Sequence, residues 1–279
     1  MTRTIVITGA SDGIGAAAAR RLHADGHRVV VVGRNPEKTA RVAAELGARH
    51  FVADFSRLED VRRLAADLSA VLPRIDVLAN NAGGLFEEPA VTADGFERSF
   101  QVNHLAPYLL TRLLLGRLVA ARGSVVWTSS KAARLWGRVD VERFADPQAS
   151  GRYRPLQAYG SAKLASLLVM SELQRRYGAQ GLSTVAFHPG VAASSLGSAG
   201  DGLVGRFYRS PLRGVLASPE RGGEHLAALA AGEAGTDWEP AAYYENGRPA
   251  RRRPAALGDE ALARTVWERS EELLSAVVD

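Results

Sequence analysis

The chain has 279 residues, 46% hydrophobic and 23% charged, an ordinary globular balance with enough length to bury one large core. Its 35 Lys+Arg against 30 Asp+Glu leave a net charge of only +5, spread along the chain, which argues against a nucleic-acid surface. The absence of cysteine excludes disulfides, thiolate catalysis and zinc sites built on sulfur.

Short β-branched runs alternate with helical patterns from the N-terminus onward. Strands are predicted at residues 4–8, 28–32, 49–52 and 77–79, with helices at 14–24, 36–46 and 58–71 between them. The run Val29-Val30-Val31-Val32 is apolar without interruption, as expected of a parallel strand covered on both faces. The pattern continues through a helix at 96–120, a strand at 124–128, a helix at 156–178 and a strand at 183–187. This βαβ repetition predicts a doubly wound α/β Rossmann fold, with a mainly parallel sheet of seven strands flanked by helices. With no internal repeat or linker, residues 1–279 read as one domain.

Three stretches break the alternation. Residues 132–155 form an unusually long connection between a strand and its helix, which suggests a substrate-facing insertion. Residues 192–214 are rich in Gly and Ser around Phe207, Tyr208 and Leu212, a composition that suits a lid as well as a surface loop. The C-terminal part carries Tyr243-Tyr244, the basic run 251–253 and an amphipathic helix at 260–274. The basic run lacks interleaved aromatics and is followed by Pro254, so it reads as a solvated turn. The chain enters its first strand without a charged leader or apolar signal, and no stretch approaches the roughly 20 apolar residues of a spanning helix. The expectation is a cytoplasmic protein without a membrane anchor.

The segment Thr8-Gly9-Ala10-Ser11-Asp12-Gly13-Ile14-Gly15 follows the first strand and opens the first helix. Glycines there let the backbone approach a pyrophosphate, and first-turn N–H groups with the helix dipole favour its charge. At the end of the second strand, where an NAD site normally offers a carboxylate to the adenosine ribose, the chain has Gly33 and then Arg34. A cation at that position predicts a phosphate clamp and hence NADP(H).

Tyr159 and Lys163 stand at i and i+4 on one predicted helix. A phenol titrating near 10 needs a neighbouring positive charge to work at neutral pH, and Lys163 can supply it. Ser129-Ser130 ends the fifth strand, Asn80-Asn81-Ala82-Gly83 ends the fourth, and Asn103 lies on the helix between them. With Asp54 and Pro189-Gly190, these residues resemble the short-chain dehydrogenase/reductase family over most of the chain, in its single-domain branch. The segments Phe100-Gln101-Val102-Asn103-His104-Leu105, His188-Pro189-Gly190-Val191 and Trp267-Glu268-Arg269-Ser270-Glu271 are similar to the retinol-dehydrogenase-like subgroup.

The resemblance implies reversible hydride transfer between a nicotinamide and an alcohol or carbonyl. Tyr159 would be the general acid/base, and Ser130, the second of its pair, would bind the same substrate oxygen, with Ser129 as fallback. Lys163 would lower the tyrosine pKa and hold the nicotinamide ribose, while Asn103 would support a water-mediated proton path to Lys163. Gly9, Ser11, Asp12, Gly13, Ile14 and Gly15 would line the pyrophosphate, and Asp54 would contact the adenine with Phe55 beside it. Asn81, Ala82 and Gly83 would line the adenosine ribose. Pro189, Gly190 and Val191 would meet the carboxamide. Ser194, or its neighbour Ser195, would stand in for the threonine common after the Pro-Gly pair. Family members often pair through the helices bearing Asn103 and Tyr159, so a homodimer or homotetramer is an open expectation.

His104 and His188 sit beside these motifs, where packing explains them better than catalysis. No His/Asp/Glu cluster has metal-ligand spacing and no Gly-x-Ser-x-Gly elbow appears, so neither a metal nor hydrolase chemistry is expected. Trp136, Phe144, Tyr153, Leu196, Phe207 and Tyr208 lie in the two long segments; they could wall a pocket for a bulky apolar or aromatic substrate, or cover the core. The competing function is an NADP(H)-binding sensor or scaffold without turnover, which loss of Tyr159 or Lys163 would have favoured.

Overall fold

The structure is a computed structural model and describes residues 1–141, 153–190 and 218–275. Its strands and helices alternate in the predicted order: β1 (Thr4–Thr8), α1 (Gly13–Ala24), β2 (Arg28–Gly33), α2 (Pro36–Glu45), β3 (Arg49–Val52), α3 (Leu58–Val71) and β4 (Val77–Asn80). A helical turn, Arg98–Phe100, passes through a π-turn, Gln101–Leu105, into α4 (Ala106–Ala120), followed by β5 (Ser124–Thr128) and the short α5 (Ala132–Leu135). The remaining elements are α6 (Pro155–Tyr177), β6 (Ser183–His188), α7 (Pro219–Ala231), β7 (Tyr243–Glu245), β8 (Arg248–Pro249) and α8 (Glu260–Ser275).

The strand order is β3-β2-β1-β4-β5-β6-β7-β8, parallel throughout except for the antiparallel β7–β8 pair. Among the described residues the sheet therefore has eight strands, not seven. The eighth is a two-residue return whose register, Glu245 opposite Arg248 and Tyr244 opposite Pro249, is set by a turn with Asn246 and Gly247 at positive φ. Order reverses between β1 and β4, so the carboxyl ends of these strands flank the crevice where doubly wound sheets take their ligands.

Alternation along the central strands splits the core into two layers. Ile5, Ile7, Val29, Val31, Val77, Val126 and Phe187 pack under α1, α2 and α7. Val6, Val30, Leu78, Val125, Trp127 and Tyr243 face α3, α4, α6 and α8. Both layers are buried, which is why the central strands read as apolar runs rather than alternating ones.

Helix α7 was not predicted, because Gly222-Gly223 interrupts its periodicity. A Cβ on Gly223 would lie 2.6 Å from the Cβ of Ala17, so these glycines are what let α7 press onto α1. Among the described residues no helix is long and apolar enough to cross a membrane.

Candidate active site

The glycine segment turns sharply out of β1. Gly9 has φ +67°, and a Cβ there would stand 2.8 Å from the Cα of Ala82, so both the conformation and the close approach of the two loops exclude a side chain. Thr8 joins these loops: its hydroxyl donates to the Ala79 carbonyl at 3.1 Å and accepts from the amides of Asn81 and Ala82, each at 3.0 Å. Asp12 caps α1, accepting from the Gly13 amide at 2.8 Å. The first i→i−4 bond of the helix is Ala16 N–H to the Asp12 carbonyl, 3.2 Å, so the amides of Ile14 and Gly15 precede any helical acceptor and are available to an anion. Ile14 is braced from behind, since a Cβ on Gly222 of α7 would lie 2.9 Å from its side chain and 3.1 Å from that of Pro189.

At the end of β2, a Cβ on Gly33 would meet Ser11 Cβ at 2.7 Å and Ser11 Oγ at 2.9 Å. A carboxylate at position 33 has no room, whereas Arg34 is exposed at the same corner. Asp54 accepts from the amide and hydroxyl of Ser56 at 2.9 and 2.8 Å, which forms the turn after β3, and Phe55 is buried with its carbonyl accepting from Gln101 Nε2 at 3.3 Å. The Asn81 side chain is committed within the fold: its amide donates to the carbonyls of Thr8 (2.9 Å) and Gly9 (3.3 Å), and its oxygen accepts from Thr128 Oγ1 at 3.1 Å. It holds the glycine segment, β4 and β5 in register rather than presenting a free amide.

The chemical end lies where α6 meets β4 and β5. Lys163, 4% exposed, donates from Nζ to the Thr128 carbonyl at 2.9 Å and sits 5.7 Å from the centroid of the Tyr159 ring. Burial pushes its ammonium down from 10.5 to about 8. Ser130 comes two residues after Thr128 and is half-buried, its Oγ accepting from the Ala132 amide at 3.2 Å; Ser129 is buried, its amide bound to the Phe187 carbonyl at 2.8 Å. Of the pair, Ser130 is thus the more exposed.

Asn103 occupies the π-turn, where the Ala106 amide reaches back to Gln101 and the normal ladder is skipped. Its side chain is clamped: Nδ2 donates to the Gly84 and Ser99 carbonyls, both at 2.9 Å, and Oδ1 accepts from the Gly84 amide at 3.0 Å. The freed main-chain carbonyl accepts from Ser166 Oγ of α6 at 2.8 Å. A Cβ on Gly83 would fall 2.5 Å from Asn103 Oδ1 and 3.0 Å from Lys163 Nζ, so Gly83, Asn103 and Lys163 converge on one point.

The two histidines are structural in placement. His104 is fully buried, stacks near Phe100 and Tyr108, shares a hydrogen bond with Ser270 at 2.9 Å, and burial takes its pKa down to about 3. His188 is also buried, which takes it down to about 4. Trp136 and Tyr153 flank α5 and α6; Trp136 is exposed and the Tyr153 hydroxyl donates to the Phe86 carbonyl at 2.9 Å. Phe144, Val191 and the whole segment 192–214, with Ser194, Ser195, Leu196, Phe207 and Tyr208, lie outside the described residues. Ser166 and Gly222 organise the site without having stood out in the sequence, since each acts through a partner far away in the chain.

A family model described as short chain dehydrogenase matches residues 3–140. A provisionally assigned daunorubicin C-13 ketoreductase of Streptomyces sp. (strain C5) is 40% identical over 96% of this chain and 91% of its own length. Retinol dehydrogenase 13 of Homo sapiens is 32% identical over 98% of this chain and 84% of its own length. Among solved structures, an uncharacterized protein from Mycobacterium Paratuberculosis superposes with a TM-score of 0.77 at 32% identity, covering 98% of this chain and 93% of that one. Sequence, fold and the Tyr159–Lys163 helix agree: the chain belongs to the short-chain dehydrogenase/reductase family, in its retinol-dehydrogenase-like subgroup, and is an oxidoreductase of alcohol and carbonyl groups.

Proposed function

We propose that the chain is an NADP(H)-dependent reductase of bulky apolar or aromatic carbonyl compounds. The single observation that carries the chemistry is the buried Lys163 ammonium, anchored at 2.9 Å to the end of β5 and 5.7 Å from the Tyr159 ring. When bound, the dinucleotide supplies the hydride. Tyr159 holds the proton that the substrate oxygen takes up, Ser130 donates to the same oxygen as charge develops on it, and the Lys163 charge favours the phenolate left behind. Asn103 fixes the loop at Gly83–Gly84 that borders Lys163, the position from which a proton path to solvent would start. The residues that would hold the cofactor are the glycine segment 9–15, Arg34, Asp54, Phe55, the backbone of 81–83, Tyr159, Lys163, Pro189 and Gly190, with Val191 and Ser194 beyond them.

NADP(H) rather than NAD(H) is supported by the corner at Gly33, where no acid fits and Arg34 stands exposed. Reduction as the direction rests on NADPH being kept reduced in the cytoplasm, where we place the protein. An apolar substrate is supported by Leu135 at the end of α5, Trp136 just after it and Leu156 of α6, 54%, 44% and 37% exposed, where the two helices meet at Gly160, next to Tyr159. Two relatives are named as a daunorubicin ketoreductase and a retinol dehydrogenase, which supports a carbonyl or alcohol as substrate.

The test is NADPH oxidation against a panel of aromatic ketones, aldehydes and quinones, for the wild type and Tyr159→Phe. The expected result is turnover with at least one of them that falls by about 10²–10⁴-fold in the variant. Tight NADPH binding with no Tyr159-dependent turnover would instead favour a sensor.

A further inference from the structure

On the face of the sheet turned away from α6, and so away from Tyr159 and Lys163, α7 and β7 leave an open pocket of about 440 Å³ between them. Phe187 of β6, Tyr244 of β7 and Trp238 form its walls, together with the last turns of α7, where the chain presents only Ala228, Ala231 and then Gly232. Larger side chains there would close the gap. Its size and mainly apolar walls are those of a site for a small ring compound.

Trp238 is 3% exposed, and its Nε1, which can only donate, has no partner among the described residues. A Cβ on Gly232 would stand 3.1 Å from Cδ1, the carbon bonded to that nitrogen, so the unused N–H lies at the Gly232 wall of the pocket. The Tyr244 hydroxyl accepts from the Glu239 amide at 3.1 Å and keeps its own proton for another acceptor. His225 Nδ1 is also buried without a partner; burial, with Arg221 adding and Glu224 opposing, holds this ring below its ordinary value and therefore neutral near pH 7. Buried donors are nearly always satisfied in a folded protein, so donors left open beside one hollow mark the place of a missing acceptor. Asp237, exposed at the rim with its Oδ2 taken by the Glu233 amide at 2.7 Å, disfavours an anion in that role.

We propose that this pocket is a second ligand site, separate from the active site, for a neutral aromatic compound that offers a carbonyl oxygen to Trp238 Nε1 and packs its rings against Phe187 and Tyr244. It does not depend on the cofactor or substrate reading above, because none of its residues belongs to the dinucleotide or proton-transfer machinery.

Ligand-observed NMR titration with chromone, a flat neutral ketone, and with naphthalene, which has no oxygen, tests this on the wild type, Trp238→Phe and Ala228→Phe. Chromone should show a saturable component in the wild type that Ala228→Phe removes, since the new ring covers the pocket. Trp238→Phe keeps a ring and loses the N–H; it should weaken chromone by roughly 5- to 10-fold, the range of one neutral hydrogen bond, and leave the weaker ligand naphthalene unchanged. No saturable chromone binding to the wild type, or equal binding to the wild type and Ala228→Phe, overturns the site. Chromone and naphthalene falling alike in Trp238→Phe, or chromone not falling at all, overturns the hydrogen bond and with it the ligand class. A crystal soaked in chromone that holds water alone in the pocket overturns both. Ala228 is exposed, so its variant is expected to fold, and circular dichroism checks both variants.

Discussion

The hydroxyl of Ser166 donates to the main-chain carbonyl of Asn103 at 2.8 Å, joining the π-turn to the helix that carries Tyr159 and Lys163. The same hydroxyl lies 3.1 Å from the Ala162 carbonyl, so one proton serves two acceptors and neither has an easy substitute in the buried surroundings. Replacing Ser166 with Ala strands the Asn103 carbonyl. The expected cost is about 1–3 kcal/mol in denaturant unfolding. A roughly tenfold fall in kcat with KM little changed is expected as well, because the loop at Gly83–Gly84 shifts with Asn103. Equal kcat values at full stability would show that the bond does not position the site.

Gly83→Ala puts a methyl group 2.5 Å from Asn103 Oδ1 and 3.0 Å from Lys163 Nζ. Lysine can swing, but Asn103 is clamped by Gly84 and Ser99, so the loop must give way. We expect a folded protein whose turnover falls by about 10²-fold, as for a misplaced catalytic group. Near-normal steady-state rates would mean that the three residues do not need their present approach.

Lys163 sets a pH window. Its folded value of about 8 lies below 10.5, so between these values the unfolded chain holds more protons and the contribution of this group to stability rises with pH. The charge that serves Tyr159 is lost over the same range. Turnover should therefore decline above about pH 8 while thermal stability shows no matching fall from Lys163. In Lys163→Arg, which keeps its charge, the alkaline limb should vanish at a lower overall rate. A wild-type profile flat from pH 8 to 10 in kcat/KM would contradict the assignment.

Trp267 of α8 is 4% exposed, meets Tyr108 edge-on at 5.1 Å, and has the guanidinium groups of Arg112 and Arg176 at 5.2 and 5.0 Å from its ring. Glu271 accepts from Arg112 at 2.8 Å and from the Tyr108 hydroxyl. Trp267→Ala should cost about 3–5 kcal/mol, seen as a lower denaturant midpoint, and Trp267→Phe should recover much of it. An unchanged midpoint in the alanine variant would mean that α8 does not brace α4.

Most of the sheet was legible because each central strand is buried on both faces. The strands were placed to within a residue, differing only in Gly33, Asn80 and His188 at their ends. What escaped depends on distant partners. The π-turn has the same apolar spacing as the helix predicted over 96–120; what marks it is the bond between Asn103 and Ser166, 63 residues apart. Strand β7 is three residues long, too short for any periodicity, and is defined by its pairing with β6. In the site, Tyr159, Lys163 and Gly83 were visible as motifs. The three partners of the Asn81 side chain, two carbonyls and one hydroxyl, are readable only once β1, β4 and β5 lie side by side.

The two borders of the sheet have consequences for the protein in concentrated solution. On one side β8 offers two residues, one of them Pro249, which has no N–H to donate, and it runs against its neighbour. On the other, β3 is four residues long and carries Arg49 and His50 at exposed positions. Among the described residues, both borders are short, charged or interrupted by proline, features that disfavour edge-to-edge pairing of a sheet whose interior is long and apolar.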